Sequence, residues 1–248
     1  MTADVLPRHG HILLIGGQRC GTTWLQNLLA GHRDIRLPRV ARPEPKFFLD
    51  DVDHGRYDEL FPQVGGSWLL DKSTTYLERG DAAGRAARCV PDASVVVILR
   101  DPVARAYSNW SFSTANGLED LPAEDALTEE AERRTWTGLS TSPYHYLRRS
   151  RYAALLEPWH QAFGERLIVI QHERAIADSG PSYVEQQLAP IGLEPAAGWV
   201  TPPEPANVST GLAPIDPALQ ARLAACFRHD SSKLAPFGID RTLWTVSE

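Results

Sequence analysis

The chain has 248 residues, of which 43% are hydrophobic and 23% are charged, and its formal net charge is −6. This composition is typical of one globular domain over residues 1–248, and the acidic balance excludes the generally basic surface of a nucleic-acid-binding protein. The apolar runs are far shorter than the roughly 20 residues of a membrane helix, and no signal-peptide core is found at the start. We therefore expect a cytoplasmic protein without membrane insertion and with reduced thiols at Cys20, Cys89 and Cys226.

Short apolar runs alternate with amphipathic segments along the chain. The apolar runs predict strands at His11–Ile15, Ser67–Leu70, Ser94–Leu99 and Leu167–Gln171. The amphipathic segments predict helices at Thr22–Ala30, Asp81–Arg88, Pro102–Ala115, Ser150–Phe163, Pro181–Leu188 and Pro217–Arg228. Loops are predicted at 36–45 and 190–217, and a polar excursion with a short acidic helix at 116–141. This alternation indicates an α/β fold in three layers, with a central parallel sheet flanked by helices.

The first predicted strand leads into a glycine-rich turn that opens the first helix. Backbone N–H groups at a helix N-terminus bind phosphate, and glycine lets the chain approach the anion closely. The turn matches the phosphate-loop pattern GxxxxGK[ST] at Gly16, Gly21 and Thr23, but Thr22 replaces the lysine that ATP- and GTP-hydrolysing enzymes place on the terminal phosphates. Arg19 is the nearest cation and can bind an oxyanion through two hydrogen bonds. The pattern favours a P-loop-like fold; a glycine-rich turn without a ligand is the alternative.

A second turn follows the strand that contains three consecutive valines. Arg100 lies at the carboxyl end of that strand, and Ser108 lies about two helical turns farther along. An arginine and a hydroxyl can together bind a second phosphate. The alternative is structural, with Asp101 capping the helix and pairing with Arg100.

Five segments, taken in order, resemble the PAPS-dependent sulfotransferase superfamily, where PAPS is 3′-phosphoadenosine 5′-phosphosulfate. The likeness is closest to its bacterial and carbohydrate-type branch, which includes the heparan sulfate sulfotransferases. The matching segments are Gln18–Leu25, Arg42–Phe48, Asp71–Tyr76, Leu99–Trp110 and Ser150–Tyr152 with the helix that follows.

The resemblance implies that the chain binds PAPS and releases PAP, the desulfated product. The 5′-phosphosulfate would be bound by the first turn, which comprises Gln18, Arg19, Cys20, Gly21, Thr22 and Thr23. The 3′-phosphate would be bound by Arg100 and Ser108, with Tyr152 beside it.

The resemblance also implies the catalytic residues. Lys72 would stabilise the bridging oxygen as it leaves, with Arg19 on the phosphosulfate, and Glu44 would accept the proton of a hydroxyl or amine. The acceptor would be a small molecule or a glycan. No metal is required in this scheme, because fixed cations neutralise the leaving group.

The chain departs from the family pattern at several positions. Arg19 stands where the family commonly has lysine, Thr74 stands where it has proline, and Asp71 stands where it has glutamate. The late cofactor loop of the family, often Arg-Lys-Gly, is replaced by Asn207–Gly211. The contacts on the adenine side of the nucleotide are therefore open.

The base and the acceptor pocket also have alternatives. Glu44 could be a surface residue paired with Arg42 or Lys46. A histidine base, as in sulfotransferases that act on phenols and steroids, is the other option, with His32, His54 and His145 as candidates. Aromatic residues in and beside the excursion could line an acceptor pocket; these are Trp110, Phe112 and Trp136.

Two other functions compete with sulfuryl transfer. A P-loop small-molecule kinase would bind ATP with magnesium, and an inactive protein of the same fold would bind PAP without turnover. The high alanine, arginine and proline content is typical of a high-GC bacterium, in which tailoring of a natural product is one expected role. A homodimer is left open.

Overall fold

The computed structural model describes residues 10–50, 56–62, 68–131, 134, 142–177, 179–193 and 214–246. The strands in these ranges are β1 Gly10–Gly16, β2 Ile35–Arg36, β3 Trp68–Lys72, β4 Ser94–Leu99 and β5 Leu167–Gln171. The α-helices in the same ranges are α1 Thr22–Ala30, α2 Gly80–Cys89, α3 Pro102–Ala115, α4 Ala123–Ala126, α5 Tyr152–Phe163, α6 His172–Ala175, α7 Gly180–Leu188 and α8 Pro217–Ser231. Short 3₁₀ turns join several of them.

The strands form one parallel sheet in the order β2-β3-β1-β4-β5. After β1 the chain builds one side of the sheet, and after β3 it crosses to the other side of β1. In an open parallel sheet, such a reversal of direction creates a crevice at the carboxyl ends of the strands. The register places Lys72, the last residue of β3, beside Leu14 of β1. The turn that follows β1 therefore lies between the ends of β3 and β4.

Alternate strand residues pack into two separate apolar layers. Leu13 and Val97 face a layer formed by residues of α2, α3, α5 and α8, whereas Leu14 and Val96 face residues of α1 and α7. Every residue of β4 is buried, because helices cover both faces of the sheet. At about 1.5–3 kcal/mol per buried aliphatic side chain, these layers supply most of the stabilisation of the sheet. The predicted three-layer α/β fold is confirmed.

The segment bounds were predicted well where apolar periodicity is strong and less well elsewhere. β4, β5, α1 and α3 have the predicted limits. The prediction for β3 was wrong at its end, since the strand continues through Asp71 and Lys72. Asp71 is polar but fully buried, and hydroxyl groups from its surroundings bind its carboxylate, so that it behaves as a strand residue.

Shorter elements escaped prediction because they have too few residues to show a period. β2 has two residues, and its Arg36 falls in the segment predicted as a loop. The short helix α6 was not predicted. Two longer helices have shifted ends: α5 begins at Tyr152 and not at Ser150, after a 3₁₀ turn, and α8 continues past Arg228 to Ser231. Ser67, most of the predicted loop 190–217 and part of the excursion 116–141 lie outside the described residues.

Candidate active site

The sheet order brings the motif segments together at the carboxyl edge. The first turn follows β1, Lys72 ends β3, Arg100 follows β4 and His172 follows β5. Because β1 lies between β3 and β4, the first turn has Lys72 on one side and Arg100 on the other. The motif segments that follow β1, β3 and β4 therefore lie together at one edge of the sheet.

The first turn ends in a helix N-terminus that has no side-chain cap of its own. Gly21 is the residue before α1 and has φ 92°, a left-handed conformation that glycine adopts without strain. Since glycine has no side chain, it cannot accept hydrogen bonds from the first N–H groups of the helix. Thr22 is buried and Thr23 is half-buried beside these groups. This arrangement leaves a helix N-terminus suited to an anion.

Contacts from two other segments hold the backbone of the first turn. Gly17 N donates to Ile98 O of β4 at 2.8 Å. The ring of His172 donates from Nδ1 to Cys20 O at 2.8 Å, since a carbonyl oxygen can only accept. Burial and then the nearby charge of Arg100 lower the pKa of His172 to about 4, so that it is a neutral donor here. His172 was missed in the sequence because it lies in no phosphate motif.

The second turn is held by side chains. Asp101 caps α3, and its carboxylate accepts from Val103 N at 2.8 Å and Ala104 N at 3.2 Å. The N–H of Asp101 donates to Glu173 at 2.8 Å. The hydroxyl of Tyr152 donates to Arg100 O at 2.8 Å. The predicted capping role of Asp101 is confirmed, and it coexists with the arginine beside it.

Tyr152 lies under the second turn and not on its surface. Its side chain is fully buried, and its hydroxyl lies 3.7 Å from the Cys20 sulfur as well as on the Arg100 carbonyl. Tyr152 therefore contacts both turns, through the Cys20 sulfur of the first and the Arg100 carbonyl of the second. Burial raises the pKa of the Cys20 thiol, which is the environment of a packing residue. The placement of Tyr152 beside the 3′-phosphate stays a prediction.

One hydrogen bond joins the two turns directly. Arg19 Nε of the first turn donates to Ser108 Oγ of α3 at 3.3 Å. The guanidinium of Arg19 also lies over the ring of Phe112, 4.7 Å from its centroid. Burial, followed by the positive charge of Arg100, lowers the pKa of Arg19. Two arginines from different turns are thus close enough to repel each other, which favours an anion between them.

A carboxylate and a lysine meet at the β3 side of the first turn. Lys72 Nζ lies 3.1 Å from Glu44 Oε1, and both side chains are largely buried. Thr74 donates to the same carboxylate, from its N–H at 2.9 Å and from its hydroxyl at 3.0 and 3.1 Å. The two residues that the family resemblance implied as base and cation therefore lie in contact. Glu44 is thus largely buried against Lys72, whereas the alternative expected a surface residue.

Behind this pair lies a second carboxylate with hydroxyl partners. Asp71 accepts hydrogen bonds from Ser73 at 2.8 Å, Tyr76 at 3.0 Å and Tyr57 at 3.2 Å. Burial raises its pKa to about 6 against these three stabilising bonds, with a further contribution from the charge of Glu44. Ser73 also accepts from Lys46 N at 2.9 Å. Asp71 thus fixes the hydroxyl that anchors the loop bearing Glu44.

A buried polar network supports the second turn from the other side. Arg149 donates to Glu78 at 2.7 Å and to Asn109 at 3.2 Å, and Arg105 donates to the same Asn109 oxygen at 3.2 Å. Gln18 of the first turn also donates to Glu78, at 2.9 Å. This network couples both turns to α3. Arg105 and Asn109 are four residues apart and both lie on the buried face of α3, which is the sequence signal that could have revealed them.

The candidate histidine bases and the candidate pocket aromatics lie in different environments. His32 is buried after α1 and accepts from Asp34 N at 3.1 Å, on the side of the sheet where β2 begins. His145 is half-buried, and its pKa is lowered by burial and by Arg149. Trp110 donates to Leu121 O at 3.0 Å, whereas Phe112 is exposed. His54, Trp136 and Asn207–Gly211 lie outside the described residues.

The described ranges contain neither a metal-binding cluster nor a membrane-spanning helix. Among those residues, no cluster of three or more His, Cys, Asp or Glu side chains is arranged to hold a metal ion. None of the helices in those ranges has the length and apolar character needed to cross a membrane.

The chain is similar in sequence to heparan sulfate sulfotransferases. Human heparan sulfate glucosamine 3-O-sulfotransferase 3B1 is 31% identical over 170 residues, which are 67% of this chain and 42% of that protein. Mouse bifunctional heparan sulfate N-deacetylase/N-sulfotransferase 4 is 35% identical over 189 residues, which are 71% of this chain and 21% of that protein. The chain thus spans less than half the length of these curated relatives. No family model matches the chain.

The fold has a close structural neighbour. The crystal structure of a sulfotransferase from Alicyclobacillus acidocaldarius superposes with a TM-score of 0.75 at 24% identity, covering 95% of this chain and 98% of that one. This likeness supports the fold over nearly the whole chain, and the sequence relatives support the family. The chain belongs to the PAPS-dependent sulfotransferase superfamily, and within it the chain resembles the carbohydrate-type branch.

Proposed function

We propose that this chain transfers a sulfuryl group from PAPS to a hydroxyl or amine of an acceptor. The observation that carries the proposal is the 3.1 Å contact between Lys72 Nζ and Glu44 Oε1 at the edge of the first turn. In-line transfer needs a cation on the leaving oxygen and a base on the attacking group, within a few ångströms of one another. Glu44 and Lys72 supply both functions at one place.

The residues present fit the two phosphates of PAPS. The uncapped N-terminus of α1 and the Arg19 guanidinium suit the 5′-phosphosulfate. Arg100 and Ser108 suit the 3′-phosphate, and the Arg19–Ser108 hydrogen bond supports the proposal of two adjoining sites. When bound, PAPS supplies a sulfuryl group already attached to a good leaving group.

The proposed roles of the residues account for every bond and proton. Glu44 accepts the acceptor proton while the acceptor oxygen or nitrogen bonds to sulfur. Lys72 donates to the bridging oxygen, which keeps the electron pair of the broken S–O bond and becomes a phosphate oxygen of PAP. The ammonium group has three N–H donors, so its contact with Glu44 leaves two for the donor substrate. Arg19 and the α1 N–H groups stabilise the charge that develops on the phosphate.

The sequence relatives support a glycan as the acceptor. Both of these relatives are named as heparan sulfate enzymes, which supports a glycan acceptor. The exposed ring of Phe112, beside Arg19, offers a flat apolar surface for a sugar or for an aromatic acceptor. A single domain, a cytoplasmic location, a bacterial natural-product acceptor and the homodimer stay predictions.

Ligand-induced stabilisation tests nucleotide choice. We expect PAP with EDTA to raise the melting temperature of the protein, and ATP with magnesium to leave it nearly unchanged. The opposite result would support the small-molecule kinase.

Turnover tests the chemistry and separates an enzyme from an inactive PAP-binding protein. With PAPS and a panel of hydroxyl and amine acceptors, we expect Glu44→Gln and Lys72→Ala to lower kcat by about 100-fold or more. Glu165→Gln and Lys233→Ala are matched controls, because both side chains are exposed and Glu165 lies just before the amino end of β5. Binding of PAP without any turnover across the panel would contradict the proposed activity.

A further inference from the structure

Glu44 has an anchor that the proposed reaction does not use. Besides its contact with Lys72, its carboxylate receives three hydrogen-bond contacts from Thr74. Thr74 is also where the chain departs from the proline of the family motif. A proline at this position has no N–H and no hydroxyl, so neither donor would exist. The contacts are therefore a property of this chain's own residue.

We propose that Thr74 is a positioning residue that orients the carboxylate of Glu44 toward the acceptor. This inference rests on the proposed function, in which Glu44 takes the acceptor proton. The threonine N–H and hydroxyl reach Oε2 at 2.9 and 3.0 Å, whereas Lys72 reaches Oε1 at 3.1 Å. Donors on both oxygens fix the rotation of the carboxylate about its terminal C–C bond.

Thr74 is itself held in place, so that it can act as a fixed reference. It follows Ser73, which is held by two hydrogen bonds. The hydroxyl of Ser73 donates to buried Asp71 at 2.8 Å, and its carbonyl accepts from Tyr76 N at 3.0 Å. The next residues form a 3₁₀ turn, Tyr76–Glu78. The backbone N–H of Thr74 is therefore part of a tightly bonded turn.

The loop that carries Glu44 needs such a reference. Glu44 lies between two prolines, and the nearest main-chain anchor in its loop is the bond from Lys46 N to Ser73 Oγ at 2.9 Å. Ser73 and Thr74 are consecutive residues and together hold this loop at two points, one on the backbone and one on the carboxylate. Without the second point, the glutamate side chain would rotate among staggered conformers, and only some of them face the acceptor.

A graded series of variants tests the inference through kcat and KM. Thr74→Ser keeps both donors, Thr74→Val keeps only the N–H, and Thr74→Pro removes both. We expect kcat within about 3-fold of the unmodified protein for serine, about 10-fold lower for valine and about 100-fold lower for proline. The KM for PAPS and the affinity for PAP should stay within about 3-fold, since both donors of Thr74 are directed at Glu44. Thr128→Val is the matched control, because this half-buried hydroxyl also makes local hydrogen bonds, to Asp125 O and from Ala131 N.

Two outcomes of this series would overturn the inference. The first is full activity of Thr74→Pro or Thr74→Val. The second is a further loss when Thr74→Val is added to Glu44→Gln, because a residue that acts through Glu44 has nothing left to orient in that background.

Urea denaturation separates failure of this inference from failure of the proposed function. If Glu44 and Thr74 are in contact, the midpoint shifts of Glu44→Ala and Thr74→Val should be non-additive in the double variant. Additive shifts would overturn the inference whatever the activity. Non-additive shifts in a protein that binds PAP but shows no turnover would instead contradict the proposed function and remove the positioning role with it.

Discussion

Two of the helices that begin at the carboxyl edge of the sheet, α1 and α3, treat their first N–H groups in opposite ways. α1 follows Gly21, which has no side chain to offer. α3 follows Asp101, whose carboxylate accepts from Val103 N and Ala104 N at 2.8 and 3.2 Å. The first N-terminus is therefore available to an anion, whereas the second is already occupied by a negative charge of the chain itself.

The difference shows that the two proposed anion sites are built from different parts. At the first turn, backbone N–H groups and a left-handed glycine form the proposed site, so the geometry of the main chain matters most. At the second turn the helix end is closed, and an anion has to be bound by the side chains of Arg100 and Ser108. We therefore expect the first site to fail when a Cβ is added and the second to fail when a charge is removed.

Arg100→Ala should give the largest effect on binding. Loss of one guanidinium that binds phosphate through two charge-assisted hydrogen bonds should weaken PAP binding by about 100-fold. The affinity for adenosine 5′-phosphate, which has no 3′-phosphate, should change by less than about 3-fold. Calorimetric titration of both nucleotides measures the contrast.

The matched control for this arginine is Arg166→Ala. Arg166 is exposed at the amino end of β5 and donates to Pro91 O at 2.9 Å. Equal losses for PAP and adenosine 5′-phosphate in Arg100→Ala would contradict the assignment of Arg100 to the second site.

Gly21→Ala should give the next effect, at the first turn. An added Cβ would lie 3.0 Å from His172 Nδ1, and the backbone at φ +92° is strained for any residue with a side chain. The turn has to shift, so we expect PAP and adenosine 5′-phosphate to lose affinity alike, by about 30-fold. The melting temperature should fall by several degrees, since a loss of 1 kcal/mol lowers it by about 2–4 °C in a chain of this size.

Gly117→Ala separates backbone strain from damage to the site. Gly117 also has a left-handed φ, +68°, but an added Cβ there would meet nothing within 4 Å. We expect a similar loss of stability from strain with nucleotide affinity unchanged. Unchanged affinity in Gly21→Ala as well would show that the first turn is not the phosphate site.

The sequence allowed prediction where the information is local. The positions of the first turn and of Arg100 after their strands were predicted correctly, because each motif is a short run after an apolar strand, and such runs end at one edge of a parallel sheet. Helices with clear periodicity, such as α1 and α3, had correct bounds. These features depend on neighbours in the chain, so that periodicity and turn chemistry are enough to predict them.

Partners that are distant in the chain could not be predicted in the same way. Arg149 binds Glu78, and the two are 71 residues apart; Arg19 binds Ser108 across 89 residues. Thr74 was noted as a departure from the family motif, but its partner Glu44 is 30 residues away, in a loop without periodicity. Such pairs follow from the packing of the sheet and helices, which no single segment encodes.

Asp101→Ala should have a smaller effect, which acts on stability and not on nucleotide affinity. The variant loses the cap of α3 and the bond that Thr245 N donates to the same carboxylate. We expect a loss of about 1.5 kcal/mol in the free energy of unfolding, with PAP affinity within about 3-fold. Asp216→Ala is the matched control, since Asp216 caps α8 in the same way at 2.9 and 3.1 Å but is exposed. A large change in PAP affinity for Asp101→Ala would show that the two helix ends are more alike than their caps indicate.

The β3 side of the first turn should differ from the second turn in the pH dependence of its contribution to stability. Burial raises the pKa of Asp71 from 3.8 to about 6 despite the hydroxyls of Ser73, Tyr76 and Tyr57, and the charge of Glu44 adds to the rise. Native Asp71 therefore holds a proton that the unfolded chain releases, and its contribution to stability falls as the pH rises from about 4 to about 6.

Urea denaturation across this pH window measures the contribution of Asp71. Asp71→Asn should flatten the pH dependence, because its amide does not titrate. Tyr57→Phe should move the fall in stability to higher pH, since the hydroxyl of Tyr57 lowers the pKa of Asp71. Asp101→Asn, at the second turn, should leave the fall in place. If Asp71→Asn kept the same slope between pH 4 and 6 as the unmodified protein, the titrating group would have to be another carboxylate, and the buried hydroxyl cluster would not be its cause.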